Sequence, residues 1–338
     1  MAETGSRKMV RVEQVTTAAA IDGLVPEWQA LWQRISEATP FQSPEWLCCW
    51  WAHFGNASPV VLAARDDDEL IAVLPLYRFN DIGGRKLLPI GISLSDYLDP
   101  LVDPKYPGLA HTLLTAIVDL QDWDECYIPD LPPSAALLAA EPPADLQSDR
   151  RAGETCPVLI LPNAVEGLRE VIPRKTLRDL RQARRRTASV GAVSLMRADA
   201  TTAAAFMYEL FRLHELRWRR IAGKGVCADP AARKFHLSAA ARMFRCGMLR
   251  LYLLRIGSST VAAYYGLTAN QKAYAYLSGY DPEHAELSPG TQIIAHAIEE
   301  AVREGAREFH FLRGGEAYKY AWGATDRPNT TLTLRRRC

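Results

Sequence analysis

Three consecutive segments of strand-like sequence constrain the fold of this 338-residue chain more than any other feature. Rich in Val, Leu, Ala and Tyr, they cover residues 249–256, 259–268 and 272–280. Short turns separate them, which favours an antiparallel meander. Helical spacing of apolar residues then predicts a helix over 290–304, and a short strand follows over 308–312. The pattern predicts an α/β (α+β) fold with a mixed, mostly antiparallel sheet flanked by helices.

The remaining elements follow from early prolines, helical apolar spacing and alternating apolar runs. Helices are predicted over 26–38, 44–54, 107–120, 165–189, 201–222, 230–245 and 316–322. Further strands are predicted over 59–64, 70–79, 87–90, 124–128 and 329–335. The order of elements is similar in the two halves, which favours a duplicated fold, although no stretch of letters repeats.

Five prolines between residues 129 and 143 mark irregular chain between the two patterned regions. The sequence therefore predicts a boundary near 145–165, with one domain over 1–150 and a second over 151–338. The first holds 10 basic and 22 acidic side chains, the second 30 and 17. Such opposite charges favour two mutually attracting domains and an anionic ligand for the second. Two solvated surfaces would explain the same counts.

Several classes of protein are not favoured by the composition. No apolar stretch approaches the roughly 18 residues of a membrane span, and the N-terminus lacks a secretory signal, so we expect a cytoplasmic protein. Seven cysteines without a Cys-x-x-Cys spacing indicate reduced thiols and no metal site. Nicotinamide, P-loop, serine-hydrolase and zinc-protease motifs are all absent.

The segment Leu287–Gln292 begins the helix predicted over 290–304. Its Ser-Pro-Gly sequence would leave backbone N–H groups pointing outward, and these donors together with the helix dipole suit a pyrophosphate. An ordinary helix N-terminus is the alternative interpretation.

A second candidate segment, Phe309–Trp322, places two glycines directly after an apolar strand. The turn would deliver Arg313, Glu316, Tyr318 and Lys319 to the carboxyl end of that strand, where ligands of α/β sheets commonly bind. Alternatively, the segment is a glycine-rich turn whose aromatic residues fill the core.

A basic run over 174–186 repeats at helical spacing, with Arg174, Arg178, Arg181 and Arg185 on one side. Such a stripe attracts phosphates of a nucleic acid or a nucleotide. A solvated helix face is favoured over that interpretation.

The polar segment Ser93–Pro100 contains two carboxylates and a phenol. Asp96 is a candidate for binding a substrate amine or accepting its proton. Capping of a turn is the alternative role for this carboxylate.

Four motifs carry a family resemblance. In chain order they are Phe41-Gln42-Ser43-Pro44-Glu45-Trp46 with Trp50-Trp51, Ser95-Asp96-Tyr97, Leu287-Ser288-Pro289-Gly290, and Leu312-Arg313-Gly314-Gly315-Glu316-x-Tyr318-Lys319-x-x-Trp322. The chain resembles the CelD/BcsL-type acyltransferases of the GNAT superfamily, which are related to the Fem-type aminoacyl transferases. The resemblance implies tandem GNAT-like domains, of which the second holds the acyl-CoA site and the first none.

The resemblance also implies a role for each matching residue. Ser288, Pro289, Gly290 and Thr291 would bind the pyrophosphate of acetyl-CoA or another acyl-CoA, with Tyr280 in the same site. The implied catalytic residues are His310, Glu316, Tyr318 and Lys319. The implied substrate-binding residues are Asp96, Tyr97 and Arg313, the first two in a cleft between the domains. Family members commonly carry Asp at the positions of His310 and Gly315, so these departures predict an altered carboxylate role.

The expected function is acyl transfer from acyl-CoA to a small-molecule amine, with an amino sugar or nucleotide sugar of polysaccharide biosynthesis as the candidate acceptor. Tyr280 or Tyr318 would serve as the acid, and Glu316, His310 or Asp96 as the base. No metal is expected, and partner enzymes of a polysaccharide pathway are candidates. Two alternatives stay open: a Fem-like transferase that uses aminoacyl-tRNA, and a catalytically inactive GNAT-like scaffold.

Overall fold

The computed structural model describes residues 10–106, 108–219 and 225–337. Ten α-helices occur in these ranges: α1 Ala18–Arg34, α2 Pro44–Phe54, α3 Leu109–Asp119, α4 Ala136–Ala139, α5 Leu168–Val171, α6 Arg174–Val190, α7 Ala203–Arg219, α8 Pro230–Arg245, α9 Pro289–Arg303 and α10 Ala317–Tyr320. The strands of the same ranges are β1 Val10–Val15, β2 Pro59–Asp66, β3 Glu69–Asp81, β4 Gly84–Pro89, β5 Leu101–Val102, β6 Glu125–Leu131, β7 Leu146–Ile160, β8 Val193–Arg197, β9 Leu249–Ile256, β10 Ser259–Ala269, β11 Lys272–Tyr280, β12 Glu308–His310 and β13 Thr325–Arg336.

The chain divides into two compact units. The first comprises the chain up to Glu154 and the segment from Pro328 onward, and the second spans Thr155–Arg327. The boundary predicted from the sequence puts the last strand in the second domain. Residues 330–335 of β13 instead pair antiparallel with β6, so this strand belongs to the sheet of the first unit.

In the first unit the strand order is β1-β2-β3-β4-β6-β13, with the short β5 beside β3. Among the described strand pairs of this unit, β4 and β6 run parallel and the others antiparallel. Helix α3 covers this sheet through the buried residues Leu113, Leu114 and Ile117, which pack with Leu74 of β3 and Leu334 of β13. This unit has its own apolar core.

In the second unit the strand order is β7-β12-β11-β10-β9-β8. Tyr264 of β10 stacks on Tyr252, whose ring lies 4.9 Å from His296 of α9. The next residue, Tyr265, lies near His236 of α8. Because successive strand residues point to opposite faces, α9 covers one face of the sheet and α8 the other. The mixed, mostly antiparallel sheet with flanking helices confirms the predicted fold class.

The sheet of the second unit opens where the parallel pairing of β11 with β12 ends. The register of this pair covers only residues 272–274 and 308–310. Strand β11 continues to Tyr280, whereas β12 ends and the chain turns at Leu312, which has a φ of 61°. The two strands therefore diverge, and the carboxyl end of β11 is left without β12 beside it.

The structure corrects several predicted boundaries. Pro26 lies inside α1, which begins at Ala18 after the capping residue Thr17, and does not start a helix as predicted. The predicted helix over 165–189 is divided at Pro173 into α5 and α6. Strands β1, β5, β7 and β8 were not predicted. The end of the helix predicted over 201–222 lies outside the described residues.

No helix among the described residues is long and apolar enough to cross a membrane.

Gly279 of β11 allows helix α7 to lie directly on the sheet. A Cβ at this position would lie 2.4 Å from the backbone nitrogen of His214 and 2.7 Å from the carbonyl carbon of Leu213. Both contacted atoms belong to the backbone of α7, so neither can move aside as the end of a flexible side chain could.

We expect Gly279→Ala to lower the free energy of unfolding by about 2–3 kcal/mol, because α7 must move off the sheet. The matched control is Gly23→Ala in an exposed turn of α1, where a Cβ meets no atom within 4 Å. That change should raise stability by about 0.5–1 kcal/mol. Urea unfolding followed by circular dichroism measures both, and equal stability of the two variants would contradict the packing argument.

Candidate functional site

A cavity of about 350 Å³ lies where β11 ends and α9 begins. Its wall comes from several parts of the second unit: the end of β11, the turn and helix start that follow it, helices α6 and α7, and the segment around α10. The lining residues are Thr176, Arg217, Ser278, Tyr280, Ala285, Ser288, Pro289, Gly290, Thr291, Ile294, Tyr318, Ala321 and Trp322. The divergence of β11 and β12 therefore coincides with a space of ligand size.

The first turn of α9 presents backbone donors to this cavity. Ser288 adopts the left-handed conformation (φ 52°, ψ 50°), and its side chain caps no amide. Pro289 has no N–H, and the amides of Gly290 and Thr291 have no acceptor in the described chain. Gln292 anchors the turn, since its side-chain amide donates to the carbonyl of Leu287 at 2.8 Å. Two free N–H groups at the positive end of a helix dipole attract an anion.

Arg217 of α7 adds a full positive charge to the same wall. Its guanidinium carbon lies 5.6 Å from the centre of the Tyr280 ring. The neighbouring Arg212 and Arg219 each pair with a glutamate. For Arg217, the described residues offer no carboxylate within 4.0 Å, so its charge is available to a ligand.

The Tyr280 ring also packs against the start of α9. A Cβ on Gly290 would lie 3.2 Å from this ring, closer than ordinary van der Waals contact. Glycine at this position therefore lets the strand end and the helix start meet. The contact fixes the position of the free amides relative to Arg217.

Tyr318 closes the cavity from the side of α10. Its side chain is 41 % exposed and lies edge-on to Phe311. Desolvation, with a smaller contribution from the Glu316 carboxylate, raises the pKa of Tyr318 to about 12. The phenol therefore keeps its proton at neutral pH and can donate it in a hydrogen bond.

Lys319 is directed away from the cavity, into the turn that follows β12. Its ammonium donates to the carbonyl oxygens of Leu312 (3.0 Å), Arg313 (2.6 Å) and Gly314 (3.0 Å). It also pairs with the Glu316 carboxylate at 2.9 Å, and only 3 % of the side chain is exposed. In this structure Lys319 holds the turn at the left-handed Leu312, and through the turn it positions α10.

Three other predicted site residues are also absent from the cavity wall. Glu316 folds back over Gly314 toward Lys319. His310 is buried and bonds Glu308 through Nε2 at 2.8 Å, and burial lowers the pKa of its imidazole. Hydrogen bonds from His310 and Arg327 lower the pKa of Glu308. Arg313 is half-buried, and its carbonyl binds Lys319.

Asp96 and Tyr97 lie in a buried loop of the first unit. Tyr97 has a φ of 61°, and its ring lies 6.5 Å from that of Phe41. The preceding Ser95 accepts a hydrogen bond from Trp46 at 2.8 Å. The substrate-binding role implied for this loop stays a prediction.

The described part of the cavity wall contains neither a carboxylate nor an imidazole. The polar side chains there are hydroxyl groups, the Arg217 guanidinium and the Trp322 indole. Among the described residues, no cluster of three or more His, Cys, Asp or Glu side chains could hold a metal ion.

A second, larger cavity of about 680 Å³ lies beside α6. Arg174, Arg181 and Arg184 of the basic run line it, and Trp322 forms part of both cavities. Arg184 is paired with Glu299 of α9 at 2.8 Å. Arg178 pairs with the neighbouring Asp179 at 3.2 Å, so the run includes two ion pairs and exposed arginines on the surface of α6.

The sequence analysis did not single out Arg217, Ser278 or Trp322 as site residues. Ser278 and Tyr280 are two residues apart in β11 and therefore share a face, which is a signal the strand pattern contains. The sequence does not identify Arg217, because the spacing of arginines within α7 does not show which of them faces the cavity. The predicted residues that meet at the cavity are Ser288, Pro289, Gly290, Thr291, Tyr280 and Tyr318.

We expect Lys319→Met to destabilise the second unit by about 2–4 kcal/mol, because three carbonyl oxygens of a strained turn lose their donor. Lys175→Met, an exposed lysine on α6, is the matched control and should change stability by less than about 0.5 kcal/mol. Thermal and urea unfolding measure the difference. A Lys319→Met protein as stable as the control would show that the turn does not need the ammonium.

Part of the second unit matches a known protein family. Residues 174–320 match a family model described as an acetyltransferase (GNAT) domain. No curated protein sequence matches the chain.

Solved structures match over almost the whole chain, at low identity. FemX is 12 % identical with a TM-score of 0.68, covering 95 % of this chain and 96 % of FemX. The C-terminal domain of a putative lysylphosphatidylglycerol synthetase from Agrobacterium fabrum is 12 % identical with a TM-score of 0.59, covering 94 % and 92 %. A conserved protein of unknown function from Bacteroides thetaiotaomicron is 14 % identical with a TM-score of 0.59, covering 97 % and 100 %. The chain therefore has a GNAT-type acyltransferase fold, with the family match confined to the second unit.

Proposed function

We propose that the protein is an acyl-CoA-dependent N-acyltransferase of the CelD/BcsL type, which transfers an acetyl or other acyl group to an amine. One observation carries the proposal: two free helix amides, an unpaired arginine and a protonated phenol line a single cavity at the end of β11. The GNAT match over residues 174–320 supports acyl transfer as the class of reaction.

The start of α9 fits a diphosphate. The amides of Gly290 and Thr291 offer two N–H donors, and Arg217 offers a guanidinium that binds phosphate oxygens in a fork geometry. Gly290 has no side chain to obstruct the approach of the ligand. In this arrangement the diphosphate of the donor lies at α9, and the remainder of the donor extends along β11 toward Tyr318.

Acyl-CoA would supply a thioester carbon that a neutral amine can attack. Tyr318 keeps its proton up to about pH 12 and serves as the acid that protonates the sulfur as the C–S bond breaks. The phenolate then takes up the proton that the attacking nitrogen gives up, which restores the phenol. Close positioning of donor and acceptor contributes much of the rate.

The acceptor in this proposal is a small amine, with an amino sugar or nucleotide sugar as the candidate. Because the described residues of the wall include no carboxylate or imidazole, the acceptor amine would reach the cavity already neutral or lose its proton to water.

Isothermal titration with acetyl-CoA and CoA tests the donor site. We expect binding of both, and Arg217→Gln should weaken each by about 10- to 30-fold, because a charge-assisted phosphate contact contributes about 1.5–2 kcal/mol. Arg219→Gln, on the same helix but paired with Glu215, is the matched control and should bind as the wild type does. No binding of either ligand to the wild type would overturn the proposal.

Tyr318→Phe tests the acid. We expect kcat to fall about 100-fold with an unchanged Kd for CoA, because the phenol acts on the leaving group and not in donor binding. The wild-type rate should rise with pH as the acceptor amine loses its proton and should show no descending limb below about pH 10, since Tyr318 remains protonated there. A descending limb near neutral pH, or full activity of the phenylalanine variant, would exclude Tyr318 as the acid.

The exposed arginines of α6 favour a second candidate, a Fem-like transferase whose donor is aminoacyl-tRNA. Arg185 lies exposed on α6, and no carboxylate in the described chain pairs with it. Retention of charged tRNA at low salt and its release as salt rises would support this donor, whereas saturable binding of acetyl-CoA with no tRNA retention supports the first.

A further inference from the structure

Strand β8 ends the sheet of the second unit with an open hydrogen-bonding edge. In the described residues β8 pairs only with β9, from Val193 opposite Ile256 to Arg197 opposite Tyr252. The strand is five residues long and contains no proline. An unprotected edge of this kind is a template for pairing with another strand.

The register fixes which residues face outward. The carbonyl of Ala192 accepts from Gly257 at 2.8 Å, and the amide of Ala198 donates to Leu251 at 2.9 Å. In an antiparallel pair, alternate residues bond the same neighbour, so the even-numbered residues of β8 bond β9. Val193, Leu195 and Arg197 therefore direct their N–H and C=O groups away from the sheet.

The side chains beside this edge are apolar and exposed. Val193 and Leu195 are each 41 % exposed, and Val190 at the end of α6 is 63 % exposed. Val193 pairs with Ile256 and Leu195 with Leu254, two core residues on the α9 face. The apolar face of the sheet thus continues to its edge without a cover.

Strand β1, at the end of the first unit's sheet, provides a contrast. Its Arg11 lies 3.8 Å from Asp68, and its Glu13 pairs with Arg65 at 2.8 Å. Charged side chains of this kind discourage pairing between edges. Strand β8 has a single charge, Arg197, and Glu304 already neutralises it at 2.8 Å.

We propose that β8 pairs with β8 of a second copy of this chain about a twofold axis at Leu195. An antiparallel pair is self-complementary under such an axis. The three outward residues of each copy would then form three hydrogen-bonded pairs: Leu195 opposite Leu195, and Val193 opposite Arg197 in both directions.

The charges and side chains suit this register. Each Arg197 lies across from Val193 of the second copy. The two arginines are therefore four residues apart along the strand pair, or about 13 Å. This distance exceeds the screening length at physiological salt. Leu195 meets its own copy at the axis, and the exposed Val193 gains an apolar neighbour in the arginine stem.

Analytical ultracentrifugation tests the proposal. The wild type should sediment at twice the mass of one chain and dissociate on dilution. Leu195→Lys should raise the dimer Kd at least tenfold, because two ammonium groups meet at the axis. Tyr208→Lys, which alters a 62 % exposed aromatic residue on α7, is the matched control and should leave the dimer unchanged. A monomeric wild type, or a dimer that Leu195→Lys does not weaken, would overturn the proposal.

A cysteine variant keeps the test decisive if Leu195→Lys fails to fold. Both cysteine variants are made with the exposed Cys246 replaced by serine. A hydrogen-bonded antiparallel pair places its two Cα atoms about 5.5 Å apart, within reach of a disulfide. Leu195→Cys should therefore form a covalent dimer on oxidation, and Tyr208→Cys should not. Equal cross-linking of the two variants would contradict the β8 register.

Discussion

The short pairing of β11 with β12 is the constraint on which the candidate site depends. Three residue pairs hold the two strands together, after which Leu312 turns the chain away. A longer pairing would fill the space beside Ser278 and Tyr280 with another strand. Because the pairing stops, the end of β11 and the start of α9 face a cavity, and the residues that follow β12 become its opposite wall.

Two buried contacts keep that opening in a fixed shape. On one side Gly279 and Gly290 let α7 and α9 approach β11 without a side chain between them. On the other side the Lys319 ammonium holds the carbonyls of residues 312–314, which otherwise would be polar groups of a left-handed turn without a donor. An anion site built from backbone amides requires rigid backbone on both sides. The N–H donors cannot adjust to the ligand by rotating a side chain.

Much of this fold could be predicted from the sequence, because its signals are local. Strands β9 and β11 begin and end where the apolar runs do, and α9 follows from its Ser-Pro-Gly start. Strand β7 could not be predicted in the same way. Its sequence contains charges, a glycine and a proline, and its pairing with β12 comes from residues some 150 positions away.

The candidate site was predictable to the extent that it depends on backbone. The free amides at Gly290 and Thr291 follow from a helix start that the letters reveal. The roles of the Lys319 and Glu316 side chains were harder to predict. The sequence around the two glycines is the same whether the lysine contacts a ligand or another part of the chain. Only the positions of the carbonyls after β12 decide between these, and those positions depend on the turn at Leu312.

The return of the final strand to the first unit has a consequence for biosynthesis. The ribosome delivers residues 125–131 some two hundred residues before their partner in β13. Until β13 has been made, β6 has an unsatisfied edge, while the strands β8 to β12 of the second unit can already assemble. The first unit would therefore complete its sheet after the strands of the second unit have been made, and a truncation that removes β13 would take a strand from the sheet of the first unit.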